Sequence, residues 1–286
     1  MDTAETKLTH EAWYELLRSS LRDETLKSPF GDTLPAFPSE ELQRNTTSLA
    51  GAQALEQANG FYTDVSGVLD RSRSSIQPDW QVLDFGSCWG RISRFFMRDV
   101  ALEHIHGMDV EAAFVGTCRE LFGSNNFAVC NALPPCDFGS SSFNLITAYS
   151  VFSHLSEGAF KAWLLDFHRI LVPGGIVAFT TRNETFFNYC KELQGNMGSL
   201  SGYQLALANM VPAIGNFAER YRAGEFIFAT SSGVSGGGAM NESFYGEAFV
   251  PPAYIERDLK GFYEILEFKP VGSKYDQALF VLKKSS

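Results

Sequence analysis

The chain has 286 residues, is 45% hydrophobic and carries a formal net charge of −10. That length suits one large domain with an elaboration, enough to bury a core, and the acidic balance argues against a general nucleic-acid binder, which needs a basic surface to neutralise phosphates. No apolar run reaches membrane-spanning length and Met1–Lys7 is polar, so neither a transmembrane helix nor a signal peptide is expected. The five cysteines, Cys88, Cys118, Cys130, Cys136 and Cys190, form no CxxC pair and read as reduced thiols of a cytoplasmic protein.

Residues 1–78 read as a helical cap. Trp13, Leu16, Leu17 and Leu21 share one helix face, and a Pro- and Gly-rich loop follows at Ser28–Pro38. A longer helix is predicted from Ala54, Ala58, Phe61, Val65, Val68 and Leu69. Such a segment either lies over a ligand as a lid or covers one face of the sheet, and the two roles are compatible.

From residue 79 the pattern alternates strand and helix. Val82, Leu83 and Phe85 read as a buried strand with Asp84 among them; Gly86–Gly90 is a tight turn, and a helix with an apolar face begins at Arg91. A strand, a glycine turn and a helix N-terminus make a ligand cradle in open α/β sheets. Ala101–Met108 is a second strand ending beside Asp109, Phe127–Cys130 a third and Phe143–Ser150 a fourth. Phe160, Trp163, Leu164, Phe167, Ile170 and Leu171 then mark an amphipathic helix, stopped at Val172–Gly175. Ile176–Thr181 is a fifth strand.

Residues 183–250 break this rhythm and read as an insertion over the active face. It contains helices at Glu184–Leu193 and Tyr203–Met210, the latter stopped by Pro212, and a flexible run at Ser231–Gly238. Pro252–Lys260 is a short helix, and Phe262–Phe268 and Gln277–Leu282 form a closing antiparallel hairpin. The expectation is an α/β fold with a doubly wound, seven-stranded, mostly parallel sheet that ends in this hairpin, in a main domain spanning 79–286.

Asp84, Gly86, Cys88 and Gly90 resemble the first motif of the class I S-adenosylmethionine (SAM) methyltransferases, an acid followed by three alternate glycines, with Cys88 in place of the middle glycine. Cys88 fits there without strain only at negative φ. Further along, Pro135, Phe138, Phe143, the run Ser150-Val151-Phe152-Ser153-His154-Leu155, Trp163, Arg169, Leu171 and Pro173-Gly174-Gly175 resemble the same family over about 40 residues and are more specific than the turn. The stretches 34–43 and 249–283 resemble bacterial members that act on sugars, surface polysaccharides and natural products.

The resemblance implies SAM as cofactor, held by Asp84, Gly86, Ser87, Cys88, Gly90, Asp109, Val110, Asn131, Ala132, Leu133 and Ser150. It implies that the turn's backbone amides approach the methionine portion and that Asp84 holds the turn or the amino group. Asp109 would accept the two ribose hydroxyls, although an acid there also suits a nicotinamide dinucleotide or a helix N-cap. Asn131–Leu133 would meet adenine, or form an ordinary turn. His154 is the candidate general base, its rival role being to pack or cap the next helix; Tyr149 and Arg182 complete the catalytic candidates, with Glu184, Tyr245 and Glu247 as lining. No His, Cys or carboxylate cluster suggests a metal. The expected reaction is metal-independent O-methylation of a small molecule, with no nucleic-acid or membrane partner and a homo-oligomer left open. The alternatives are N-methylation, a SAM-binding regulator without catalysis, and a nicotinamide-dependent oxidoreductase, which the missing GxGxxG disfavours.

Overall fold

A computed structural model describes residues 8–234 and 240–285. The polar start Met1–Lys7 and half of the expected flexible run, Ser235–Gly238, lie outside the described residues. The chain divides into two compact units: one runs to Cys130 and includes Ser273–Tyr275, the other holds Asn131–Gly272 and the chain from Asp276 on.

In the first unit α1 (His10–Ser19) starts at Thr9, whose hydroxyl accepts the Ala12 amide, and buries Trp13 and Leu17. A helix that periodicity did not predict follows, α2 (Glu40–Thr47), capped by Ser39 on the Leu42 amide. Its one buried residue is Gln43, so it carries no apolar stripe to detect. α3 (Gly51–Arg71) buries the predicted face, including Phe61, Val65 and Leu69.

β1 (Val82–Phe85) is fully buried. The helix expected from Arg91 is only one turn, α4 (Ser93–Phe96), too short for an appreciable dipole. β2 (Ile105–Asp109) is shorter than expected because Leu102–His104 form a 3₁₀ turn. α5 (Ala112–Phe122) and β3 (Phe127–Val129) complete this unit. β2 pairs in parallel with both neighbours, in a register that puts Phe85 beside Met108 and Asp109 beside Val129.

The second unit opens with β4 (Phe143–Ala148), α6 (Glu157–Ile170) and β5 (Leu171–Thr181). β5 begins earlier than predicted. Its pairing with β4 jumps from Phe143–Leu171 to Leu145–Ile176, so the Pro-Gly-Gly turn is a bulge inside the strand. Then come α7 (Glu184–Gln194), α8 (Gly202–Ile214) and α9 (Phe217–Arg222).

Pro212 lies inside α8 rather than stopping it. It removes one hydrogen bond in the final turn, and burial of Val211 and Ile214 on either side offsets that loss. β6 (Ile227–Ala229) and β7 (Glu247–Phe249) form a separate two-stranded antiparallel sheet. With α7–α9 they enclose their own apolar core, in which Phe187 and Phe217 stack at 4.4 Å.

α10 (Pro252–Asp258), β8 (Tyr263–Lys269) and β9 (Ala278–Lys284) end the chain. β9 is antiparallel to both β5 and β8, which is the predicted hairpin. The main sheet has seven strands in the order β3-β2-β1-β4-β5-β9-β8. The fold is the expected α/β class.

Candidate active site

In the first unit the turn after β1 has left-handed backbone at alternate residues, with φ of 75° at Gly86, 51° at Cys88 and 74° at Gly90. The alternate-glycine spacing thus has a direct backbone cause. At Gly90 an added Cβ would lie 2.2 Å from the Phe122 ring, so a side chain is excluded twice over. Cys88 occupies a left-handed position instead of the negative φ that would suit it, at a cost of roughly 1–2 kcal/mol.

The turn's amides are engaged internally. Gly86 and Ser87 donate to the Met108 carbonyl at 2.8 and 3.0 Å, Gly90 to the Ser87 carbonyl at 2.7 Å, and Cys88 to Asp109 Oδ2 at 2.9 Å. Four of the five amides of Gly86–Gly90 are thus engaged within the protein, in place of the free row of amide donors expected.

Asp109 ends β2 and does two things at once: Oδ2 holds Cys88, and Oδ1 accepts the Glu111 amide at 3.0 Å where α5 begins. Burial pushes its carboxyl above the usual range, and the Glu111 and Cys88 amides oppose that. Each oxygen keeps a lone pair for a hydroxyl donor. Val110, beside it, is half-buried. Asp84 faces the turn's exit. Its Oδ2 accepts the Ser93 amide at 3.0 Å and the Ser93 hydroxyl at 2.6 Å, so it fixes the start of α4.

In the second unit Asn131 and Leu133 are exposed, and the Ala132 carbonyl accepts the Trp163 indole N–H at 3.0 Å. Leu133 leaves 51% of its surface open, an apolar face accessible to a ligand. Ser150, just after β4, has φ 59°. A closed ring of bonds holds it: its amide donates to Thr180 Oγ1, Thr180 to Gln277 Oε1, and Gln277 Nε2 to Ser150 Oγ, at 2.8, 2.7 and 2.9 Å. Left-handed backbone at a non-glycine residue persists where its surroundings over-determine it.

The segment before β7 brings the catalytic candidates together. Gly246 and Ala248 donate to the His154 and Ser153 carbonyls, and the Arg182 amide donates to the Ala248 carbonyl. His154 Nδ1 lies 2.8 Å from the Gly246 carbonyl, which can only accept, so Nδ1 carries the proton and Nε2 the lone pair. The Tyr245 ring stacks on the imidazole at 4.7 Å, and Glu247 Oε1 lies 3.5 Å from Nδ1. Burial lowers the His154 pKa; Glu247 opposes this and Arg182 adds to it.

Arg182 Nε donates to Glu247 Oε2, its guanidinium lies 3.9 Å from the Phe186 ring, and Nη2 approaches His154 Nε2 at 3.5 Å and the Tyr203 hydroxyl at 3.3 Å. Burial alone would lower the Arg182 pKa, and the Glu247 carboxylate more than reverses that. Tyr203 donates to Glu247 Oε1 at 2.6 Å. Glu247 itself is completely buried.

Tyr203, Thr180 and Gln277 are site residues that the sequence reading passed over. Each joins through contacts tens of residues away, with no local motif. Of the candidates, Tyr149 is buried, and Glu184 is exposed on the first turn of α7. Among the described residues there is no group of three or more His, Cys, Asp or Glu placed to hold a metal.

Residues 82–175 match the family described as a methyltransferase domain. This chain carries a class I methyltransferase domain. The methyl donor that the sequence resemblance implies is SAM. No curated protein matches the chain. Among solved structures it is similar to a SAM-dependent methyltransferase from Listeria monocytogenes, at 11% identity over 80% of this chain and 99% of that one, TM-score 0.49. It is also similar to magnesium protoporphyrin IX methyltransferase from Synechocystis PCC 6803, at 13% identity over 82% and 87%, TM-score 0.49. A third is a SAM-dependent methyltransferase from Methanosarcina mazei, at 16% identity over 75% and 97%, TM-score 0.46. The methyltransferase turn suits its donor on the chain's own evidence: Gly90 leaves no room for a side chain, and both Asp109 oxygens retain acceptor capacity.

Proposed function

We propose that the protein moves a methyl group from SAM to a hydroxyl of a small neutral acceptor, a sugar or natural product, without a metal. The carrying observation is His154: buried, neutral, and held through Nδ1 so that Nε2 keeps its lone pair. In this reading the Gly86–Gly90 turn holds the methionine portion of SAM and Asp109 its ribose. Asn131–Leu133 take the adenine, and Ser150 is a further cofactor contact in this reading.

When bound, SAM supplies an electrophilic methyl group on a sulfonium sulfur. The protein's tasks are to align the acceptor oxygen and to take its proton. His154 Nε2 takes that proton. Glu247, 3.5 Å from Nδ1, favours the resulting imidazolium, while Arg182, whose Nη2 lies 3.5 Å from Nε2, opposes it and keeps the resting ring neutral. The side chains around His154 balance to near neutrality, which supports a neutral acceptor. The net charge of −10 supports the absence of a nucleic-acid substrate.

No helix among the described residues is long and apolar enough to cross a membrane. The test is methyl transfer from labelled SAM to a panel of sugars and hydroxylated natural products. Transfer to a hydroxyl that drops at least about tenfold in His154→Ala supports the reading; transfer to nitrogen, or full activity in that variant, overturns it.

A further inference from the structure

Arg94 has no solvent exposure and, among the described residues, no carboxylate partner. Burial pushes its pKa down to about 9, which still leaves it cationic at neutral pH. Three backbone carbonyls receive its N–H groups: Gly90 from Nε at 3.3 Å, Pro35 from Nη1 at 3.2 Å and Ala36 from Nη2 at 3.3 Å. The guanidinium lies 4.0 Å from the centre of the Phe37 ring and 5.2 Å from that of Trp89. It therefore joins the last glycine of the turn to the loop before α2.

Two further links run the same way. Thr46 on α2, whose hydroxyl donates to the Leu42 and Gln43 carbonyls, lies close enough to the Cys88 side chain to act on it, and Arg91 Nη1 donates to Gln57 Oε1 on α3 at 2.6 Å. Cys88 is the residue that stands where a glycine suits the backbone. Its side chain faces Thr46, a contact that glycine cannot make.

We propose that the strap Pro35–Thr46 is a working part of the cofactor site, and that Arg94 and Cys88 are the positioning residues that transmit its hold to the glycine turn. The turn's amides are already engaged within the protein, so its shape is set partly from outside, by side chains that reach to the strap. A cofactor that needs this shape binds more tightly when the strap is docked, and in return its binding secures the strap. The proposal rests on the reading that the turn binds SAM.

The test uses the full chain, with SAM titrated by calorimetry and hydrogen exchange followed in peptides covering 30–46 and 84–96. In the wild type, SAM slows exchange in both peptides. Arg94→Lys keeps a charge but cannot span three carbonyls; the 30–46 peptide then exchanges faster and the SAM Kd rises about tenfold, the scale of a lost charged hydrogen-bond set. Thr46→Val and Cys88→Ala are milder and fold without Arg94 being touched. Each raises the Kd about threefold, and the double variant is no worse than either, because both remove one contact. An unchanged Kd in all of these, multiplicative effects in the double variant, or no SAM-dependent protection of 30–46 overturns the proposal. A wild type that binds no SAM at all overturns the reading of the turn itself.

Discussion

The Asp109 carboxylate holds the Cys88 amide at 2.9 Å. One side chain at the end of β2 thus fixes the middle of the glycine turn, while its other oxygen fixes the entry to α5 through Glu111 at 3.0 Å. The ligand role and the helix-entry role open at this position in the sequence are compatible in one carboxylate.

Asp109→Ala removes both acceptors and the proposed ribose contact. We predict a fall in SAM affinity of about 1–3 kcal/mol by calorimetry, and a loss of thermal stability from the two unpaired amides. A lower melting temperature with unchanged SAM affinity would confine Asp109 to shaping the turn.

Cys88 bears opposing effects. Glycine would relieve roughly 1–2 kcal/mol of left-handed strain but loosens the unfolded chain by about 0.4–1 kcal/mol. Cys88→Gly is therefore expected to change stability by less than about 1.5 kcal/mol while weakening SAM binding a few-fold through the lost Thr46 contact. Tighter binding would mark the thiol as a compromise instead. Burial pushes the Cys88 thiol up to about 12, so brief iodoacetamide treatment of the native protein near pH 8 should leave it unmodified. Rapid alkylation of Cys88, read by peptide mass spectrometry, contradicts this protected setting.

For His154, burial places the folded pKa below the ordinary 6.5. A base must be unprotonated to act, so kcat should be level at neutral pH and fall on the acid side, below pH 6.5. Glu247→Gln removes the carboxylate that favours the imidazolium and moves that limb to still lower pH. It also leaves the Arg182 charge buried and unpaired, at about 3–5 kcal/mol. A kcat profile with no acid limb, or a limb shifted upward in the variant, removes His154 from proton transfer.

The same shift bears on stability. A histidine whose folded pKa lies below its unfolded value binds fewer protons folded than unfolded between the two, so stability rises with pH across that window. Besides His154, burial lowers His10, His106 and His168. Denaturation midpoints should hold from neutral pH down to about 6.5 and fall below it. A midpoint that rises as the pH drops from 6.5 to 5.5 contradicts the neutral, buried state of these rings.

Where structure follows from local pattern, the sequence shows it. The β1 turn, the α6 stripe from Phe160 to Ile170 and the final hairpin each carry their own periodicity or turn chemistry. α2 has no apolar stripe, so only its Ser39 cap and first-turn Glu40 and Glu41 could have announced it. Pro212 misleads because tertiary burial carries a helix past it. The site divides along the same line. Asp109, the glycines and His154 stand in a motif, but Tyr203, Thr180 and Gln277 reach their partners across 21 to 127 residues, where no local pattern points. That Cys88 would take a left-handed φ rather than tolerate the position at negative φ was a backbone matter that spacing alone does not decide.

The most direct test of the central claim is calorimetric titration of the full chain with SAM and, separately, with NAD. The account predicts micromolar or tighter SAM binding, weakened in Asp109→Ala, and no heat with NAD. Binding of NAD without SAM would contradict it.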